Sequence, residues 1–578
     1  MEKYYTAEKN VQMLVSLLKA HGIKKVIASP GTTNVTFVAS LQIDPYFEIY
    51  SAVDERSAAY MACGLAAESG EPVVLSCTGA TASRNYVPGL TEAFYRKLPV
   101  LAVTSTQHTG KVGQLVAQVM DRSVIQNDIA VMSVDIPSIY SADDEWSCNV
   151  KLNSAILALK HRGGGPVHIN LTTTYSRDFS VKELPKYRVI NRITNGQQFP
   201  KIQTNNVGIF VGAHLPWSEE LTTEVDEFCE KYNGMVICDH TSNYHGKYRI
   251  QYNLLAGQTN HRYDAKQLDL LIDMGEVSGS YMGLTPKEVW RVNPDGAIRD
   301  TFRKLKYLFD MDEIDFFKRI NKEKKDYCKT TLYELYHQEY DSVYSQIPEL
   351  PFSNIWMAYT SVKQLPNGSI LHLGILNSLR SWNFFELDSS VSCYTNTGGF
   401  GIDGLVSTLI GASLASSNKL HFLVVGDLAF FYDLNSVANR HVGNNIRILL
   451  INNGLGTEFR NYSHFAAQFG EDANMYMAAA GHYGQKSPVL VKHYAEDLGF
   501  EYITADSKES FIEVMPKFFN SEIEDKPVLF EVFTTPENES DALKVINHIV
   551  VDPPTMKDKV RNVIGENGVS KIKKILGR

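Results

Sequence analysis

The chain has 578 residues, 44% hydrophobic and 21% charged, with a formal net charge of −9. This is an ordinary globular composition over a length that divides into about three or four domains. It offers no basic excess to neutralise nucleic-acid phosphates, and no apolar run approaches the ~20 residues of a membrane span.

The first stretch, "MEKYYTAEKNVQMLVSLLKAHGIKKV", reads as an amphipathic helix leading into a strand, without the basic start and apolar core of a signal peptide. Short apolar runs follow ("KKVIASPG", "EPVVLSCTG", "LPVLAVTST", "GPVHINL") and alternate with helical patterns, predicting a parallel sheet with crossover helices over 1–185. Within this block "VDERSAAY" puts Glu55 just past a strand, opening a helix with Ala58, Ala59 and Ala62 on one face. An acid there either complements the helix dipole or, if buried, holds a proton. A polar linker falls around 180–205. The second block, 200–345, repeats the alternation and fades into the charged, solvated "NKEKKDYCK". The third, 351–550, carries "GSILHLG", "LHFLVVGD", "IRILLINN" and "PVLFEVFT". A basic tail, 551–578, is either a docked helix or a frayed end. The predicted fold is α/β, with three doubly wound parallel-sheet domains. The seven scattered cysteines include no CxxC pair, so neither a disulfide framework nor a zinc site is expected, and a cytoplasmic setting fits.

The chemistry-bearing stretch is "VVGDLAFFYDLNSVANRHVGNNIRILLINNGLG". Asp427 and Asn453 each stand just past a strand, one crossover helix apart, where open parallel sheets bind ligands. An Asp carboxylate, an Asn amide oxygen and a backbone carbonyl are the hard donors that Mg²⁺ takes, with phosphate oxygens and water completing its shell. Gly426 allows close backbone approach, and the helix starting near Leu428 offers free N–H groups to a diphosphate. A helix-capping Asp and an Asn-Gly turn would leave the same trace.

Gly-Asp followed one helix later by Asn-Asn resembles the signature of the thiamine-diphosphate enzymes. "GDLAFFYDLN", "GIDGLVST", "SPG", "DERSAAYMACGLA" and "NSL" resemble, in order and spacing, the menaquinone-pathway branch that joins decarboxylated 2-oxoglutarate to isochorismate. The resemblance implies pyrimidine-binding, central and diphosphate-binding domains. It implies thiamine diphosphate and Mg²⁺ as cofactors, with Asp427, Asn453 and the Leu455 carbonyl on the metal. Glu55 would activate the coenzyme and Ile402 would hold it bent. Gly31, Thr78, Gly426, Leu428 and Ala429 complete its expected binding set. Gln118 is expected beside the reacting centre, with Gln114 as its rival and His108 as a further acid or base. The adjacent histidine pair of the simple pyruvate-decarboxylase branch is replaced by Gln107-His108.

The departures concern arginines. Thr33, Thr397 and Trp382 stand where the menaquinone branch carries arginine, with Arg380 nearby but out of phase. Arginine forks grip carboxylates at two points, so their loss disfavours substrates with several carboxylates. Thr32, Thr33, Asn377, Ser378, Arg380, Thr397 and Arg460 are the expected substrate contacts. Glu458, where the branch has an aliphatic residue, either handles protons, binds a hydroxyl-rich or cationic acceptor, or points to solvent. The polar, aromatic stretch after it resembles a substrate-covering loop. The expected activity is decarboxylation of a small 2-oxo acid and transfer of the acyl-anion equivalent to an unidentified acceptor. The alternatives are simple non-oxidative decarboxylation, an acetolactate-synthase-like reaction, or a non-catalytic regulatory relative. No motif favours a flavin. The resemblance further implies a homodimer or homotetramer, with active sites at the subunit interface.

Overall fold

A computed structural model describes residues 4–259 and 267–550; the tail 551–578 lies outside the described residues. The chain divides into two compact units: Met1–Gln198 with Asp295–Asp310, and Phe199–Pro294 with Met311–Arg578.

In the first unit β1 (Lys25–Ala28), β2 (Glu48–Ser51), β3 (Val73–Cys77), β4 (Val100–Thr106), β5 (Met132–Ile136) and β6 (Val167–Thr172) form a six-stranded sheet in the order β2-β1-β3-β4-β6-β5. All its pairings are parallel. The central strands β3, β4 and β6 are buried at every position because both faces of the sheet are covered. Helices Lys9–Ala20 and Ala142–Ala158 pack over Val26, Val74, Leu101, Ile169 and Leu171. Helices Glu55–Ser69 and Val87–Tyr95 pack over Ile27, Val73, Leu75 and Ala102 on the other face. The unit also holds β7 (Asn191–Thr194), which pairs in parallel with a strand from its second segment, Leu305–Asp310.

The second unit begins with β8 (Val207–Val211), β9 (Gly234–Cys238), β10 (Arg249–Gln251), β11 (Leu270–Met274) and β12 (Glu288–Val292), running β10-β9-β8-β11-β12. With Leu305–Asp310 taken as β13, the last sheet comprises β14 (Ile370–Leu373), β15 (Ser392–Tyr394), β16 (His421–Gly426), β17 (Ile446–Asn452), β18 (Glu501–Ala505) and β19 (Val528–Phe533). Its order is β15-β14-β16-β17-β19-β18, again all parallel. Helix Leu405–Ala415 and the Val491–Phe500 region cover one face over Leu423, Val425, Ile448 and Leu450. An aromatic cluster of Trp356, Phe511, Phe518 and Phe530 covers the other. The two strand sets of this unit are joined by His240, whose backbone N–H donates to Asn383 Oδ1 at 3.1 Å and whose ring meets the Trp382 carbonyl at 2.9 Å. The α/β class with parallel sheets and intervening helices is thus as expected. No helix among the described residues is long and apolar enough to cross a membrane.

Candidate active site

β16 and β17 run side by side, with Gly426 opposite Ile451, so the residues after them, Asp427 and Asn453, come together at one edge of the sheet. Asp427 opens a short helix, Asp427–Tyr432, and is 5% exposed. Its Oδ1 accepts the N–H of Leu428 at 2.9 Å and its Oδ2 that of Gly454 at 2.8 Å. Burial nevertheless pushes its carboxyl up to about 7. Asn453 Oδ1 is buried with no hydrogen-bond partner. The backbone turns at Gly454, φ +78°, a conformation that favours glycine, and a Cβ there would lie 2.4 Å from Gln485 Nε2. Leu455 follows, and the next N–H, of Gly456, donates to the Ala478 carbonyl at 2.7 Å.

Asp427, Asn453 and Leu455 line one cleft together with Gly426, Leu428, Ala429, Ile402, Asn377, Ser378 and Glu458. A Cβ on Gly426 would meet no protein atom within 4 Å, so the cleft stays open beside the helix start. The donor set fits a hard cation with a diphosphate. A buried carboxylate and an unpaired buried carbonyl oxygen leave a charge and a lone pair uncompensated. Among the described residues, no group of three or more His, Cys, Asp or Glu side chains offers an alternative metal centre.

The far wall of the cleft contains a residue that sequence reasoning missed. Glu539, on helix Pro536–Ile546, accepts the Asn354 N–H with both oxygens at 3.1 Å and the Thr534 hydroxyl at 2.8 Å. Burial pushes its carboxyl up to about 7. In "TTPENES" it reads as an ordinary first-turn acid, and no signal in the sequence separates it from one.

Glu458 and Arg380 meet face to face. Arg380 donates to Glu458 Oε2 at 2.7 Å and to Oε1 at 3.0 Å, and to Asn377 Oδ1 at 2.9 Å. Asn461 Nδ2 donates to Glu458 Oε2 at 3.2 Å and to Asn377 Oδ1 at 3.3 Å, closing the ring. Of the expected substrate contacts, Arg460 and Thr33 make other contacts. Arg460 is absent from the cleft lining: it bonds Asn474 and pairs with Glu537 at 3.9 Å, bracing the segment that follows. Thr33, 2% exposed, turns into the first sheet, where its hydroxyl meets Thr78 Oγ1 at 2.6 Å, donates to the Ser105 carbonyl at 2.9 Å and accepts the Gly79 N–H at 3.3 Å. Trp382 is fully buried and Thr397 is 6% exposed. All three positions lacking the arginine are therefore packed. The expected covering stretch forms short 3₁₀ turns and one turn of helix, Ala473–Tyr476, with Phe465 and Tyr476 exposed.

In the first unit, Asp54 caps the helix Glu55–Ser69, accepting the N–H groups of Arg56 and Ser57. Glu55 is therefore not needed as the cap. It is half-buried, and it stands near the Cys77 thiol, which burial pushes up to about 12 with Glu55 adding to the rise. Ala58, Ala59 and Ala62 are buried as the small face of that helix. Gly31 lies against Thr78, where a Cβ would fall 2.5 Å from Thr78 Cβ, and Thr32 is exposed. Gln118 is exposed at φ +63°, and its carbonyl approaches Gly79; Gln114 is exposed as well. His108 is exposed and its Nδ1 accepts the Gly110 N–H at 3.0 Å, capping a short turn. The segment carrying Gln118 is held by Arg122, also missed, which is buried and donates twice to Asn170 Oδ1, at 3.1 and 2.6 Å.

The thiamine pyrophosphate enzyme N-terminal TPP binding domain matches residues 9–132. Most of the chain is similar to 2-succinyl-5-enolpyruvyl-6-hydroxy-3-cyclohexene-1-carboxylate synthases. The protein of Bacteroides fragilis strain YCH46 is 30% identical over 94% of this chain and 99% of its own. That of Phocaeicola vulgatus is 31% identical over the same shares, and that of Flavobacterium johnsoniae is 26% identical over 92% and 97%. With such identity across nearly its full length, the chain belongs to this family of thiamine-diphosphate enzymes.

Proposed function

We propose that the chain is a thiamine-diphosphate- and Mg²⁺-dependent enzyme that decarboxylates a small 2-oxo acid and transfers the acyl-anion equivalent to an acceptor, with substrates other than those of the menaquinone reaction. The carrying observation is the composition of the cleft. Gly426, Asp427, Asn453 and Leu455, read here as the metal and diphosphate side, line it together with Glu458, and Glu458 ties up Arg380.

When bound, thiamine diphosphate supplies the electron sink into which a 2-oxo acid loses CO₂. Asp427 Oδ, Asn453 Oδ1 and the Leu455 carbonyl would hold Mg²⁺, and the N–H groups after Gly426 would receive diphosphate oxygens. Glu55 would hold a proton at the aminopyrimidine ring nitrogen. Ile402, seated against the core, would wedge the coenzyme rings. Gln118 and Glu458 would orient substrate, with His108 at the periphery. Carboligation is favoured over simple decarboxylation because Gln107-His108 replaces the histidine pair that would protonate the product.

A cytoplasmic homodimer or homotetramer, with active sites at the subunit interface, completes the proposal. Support comes from helix Glu55–Ser69, which exposes Tyr60 and Met61 beside the exposed Val53. The test is CO₂ release from a panel of 2-oxo acids with and without aldehyde acceptors, read with the mass of the protein in solution. Aldehyde as the sole product would reject ligation, and a monomer active at full rate would reject the assembly.

A further inference from the structure

We infer that Glu458 is a built-in counter-ion: it fills the guanidinium fork of Arg380 as a substrate carboxylate would, so the substrate portion lying along this wall is neutral and hydroxyl-bearing. The inference rests on the function proposed above and names its substrate class.

The two-point contact, 2.7 and 3.0 Å, is the geometry in which arginine grips a carboxylate ligand. Here the ligand is the chain's own. The pair is partly buried, the side chains being 34% and 21% exposed, and it is braced by Asn377 and Asn461 on both partners. An incoming carboxylate would have to displace Glu458 and then lie beside it, so anions are disfavoured twice. A cation gains little, because the pair sums to no net charge. A hydroxyl is served: Glu458 Oε2 already takes two bonds, whereas Oε1 takes the one from Arg380 and keeps acceptor capacity. Glu458 and Asn377 both line the cleft that holds Asp427 and Asn453, so this wall borders whatever enters it.

The test uses the full chain with thiamine diphosphate and Mg²⁺, titrated calorimetrically with succinate as a dicarboxylate probe. The expected result is at least about tenfold tighter succinate binding in Glu458→Ala than in the wild type, one decade of affinity being what a freed charge-assisted fork readily supplies. The gain should vanish in Glu458→Ala/Arg380→Ala. If the alanine variant does not fold, Glu458→Gln is read in the same way for a smaller gain. In a competition between glycolaldehyde and succinate semialdehyde as acceptors, the wild type should favour the hydroxy-aldehyde and Glu458→Ala should shift toward the carboxylate. Equal succinate binding by wild type and variant, a gain surviving the double substitution, or a wild-type preference for succinate semialdehyde would overturn the inference. Failure of the wild type to bind thiamine diphosphate would instead sink the proposed function and leave the succinate comparison readable.

Discussion

Asp427 accepts the backbone N–H of Gly454 at 2.8 Å, so the acid that follows β16 is bonded to the loop that follows β17. This bond and the proposed metal role separate in two substitutions. Asp427→Asn retains an acceptor for Gly454 but lacks the charge, and should fold while binding thiamine diphosphate in Mg²⁺ at least about tenfold more weakly, since even outer-shell changes at metal sites cost 10–100-fold. Asn453→Ala should do the same without touching the Gly454 bond. Titration followed by heat or circular dichroism decides; unchanged affinity in both variants would remove the metal from this cleft.

Glu55→Gln tests the role proposed for the first unit. With Asp54 already capping the helix, the substitution should leave stability unchanged and coenzyme binding nearly so. CO₂ release should fall by about 10²–10⁴, the range for a lost acid–base group. A loss of binding equal to the loss of rate would argue that Glu55 only holds the coenzyme.

Glu539 predicts a pH dependence. Burial raises its folded pKa to about 7, above the unfolded value near 4.5. The folded state therefore holds more protons between those values, and this group makes stability fall as pH rises through that window. Glu539→Gln keeps an acceptor for the Asn354 N–H and removes the titration. Relative to the variant, the coenzyme-free wild type should lose on the order of 3 kcal/mol between pH 4.5 and 7. Denaturant midpoints of both proteins across that range measure it, and parallel curves would contradict it.

Restoring the family's arginines should fail. Thr33 and Trp382 are 2% and 0% exposed, and neither hydrogen-bonds a carboxylate, so Thr33→Arg and Trp382→Arg would each bury a cation. Destabilisation of about 3–5 kcal/mol is expected, the scale of an uncompensated buried charge, without gain of activity on dicarboxylates. A folded Trp382→Arg protein that accepts 2-oxoglutarate would show that packing there is looser than the structure indicates.

Legibility in the sequence followed the range of the interaction. The alternating apolar runs placed the strands, and strand ends placed Asp427 and Asn453, because a parallel sheet puts such residues at one edge whatever the distant chain does. Glu55 after a strand and Ala58, Ala59 and Ala62 on one helix face were readable for the same local reason. The Arg380–Glu458 pair was not readable: its partners lie 78 residues apart, and no local pattern announces a partner. Thr33 looked like a loop residue open to substrate, but the strand-end loop turns its hydroxyl toward Thr78 and Ser105. Arg460 shares a 3₁₀ turn with Glu458, Thr457–Arg460, and lying two residues further along that turn it bonds Asn474. Glu539 and Arg122 are polar residues whose burial depends on packing from several elements, which composition does not reveal.

The loop after β17 is also gripped from outside. Gln485 crowds Gly454, Ala478 bonds Gly456, and a Cβ on Gly484 would fall 2.6 Å from Asn452 Nδ2. The stretch proposed to cover the cleft and the backbone proposed to hold the coenzyme's tail are consequently in direct contact. If that stretch opens for product to leave, its grip on the tail loosens as well, and turnover and coenzyme residence time should share one opening rate.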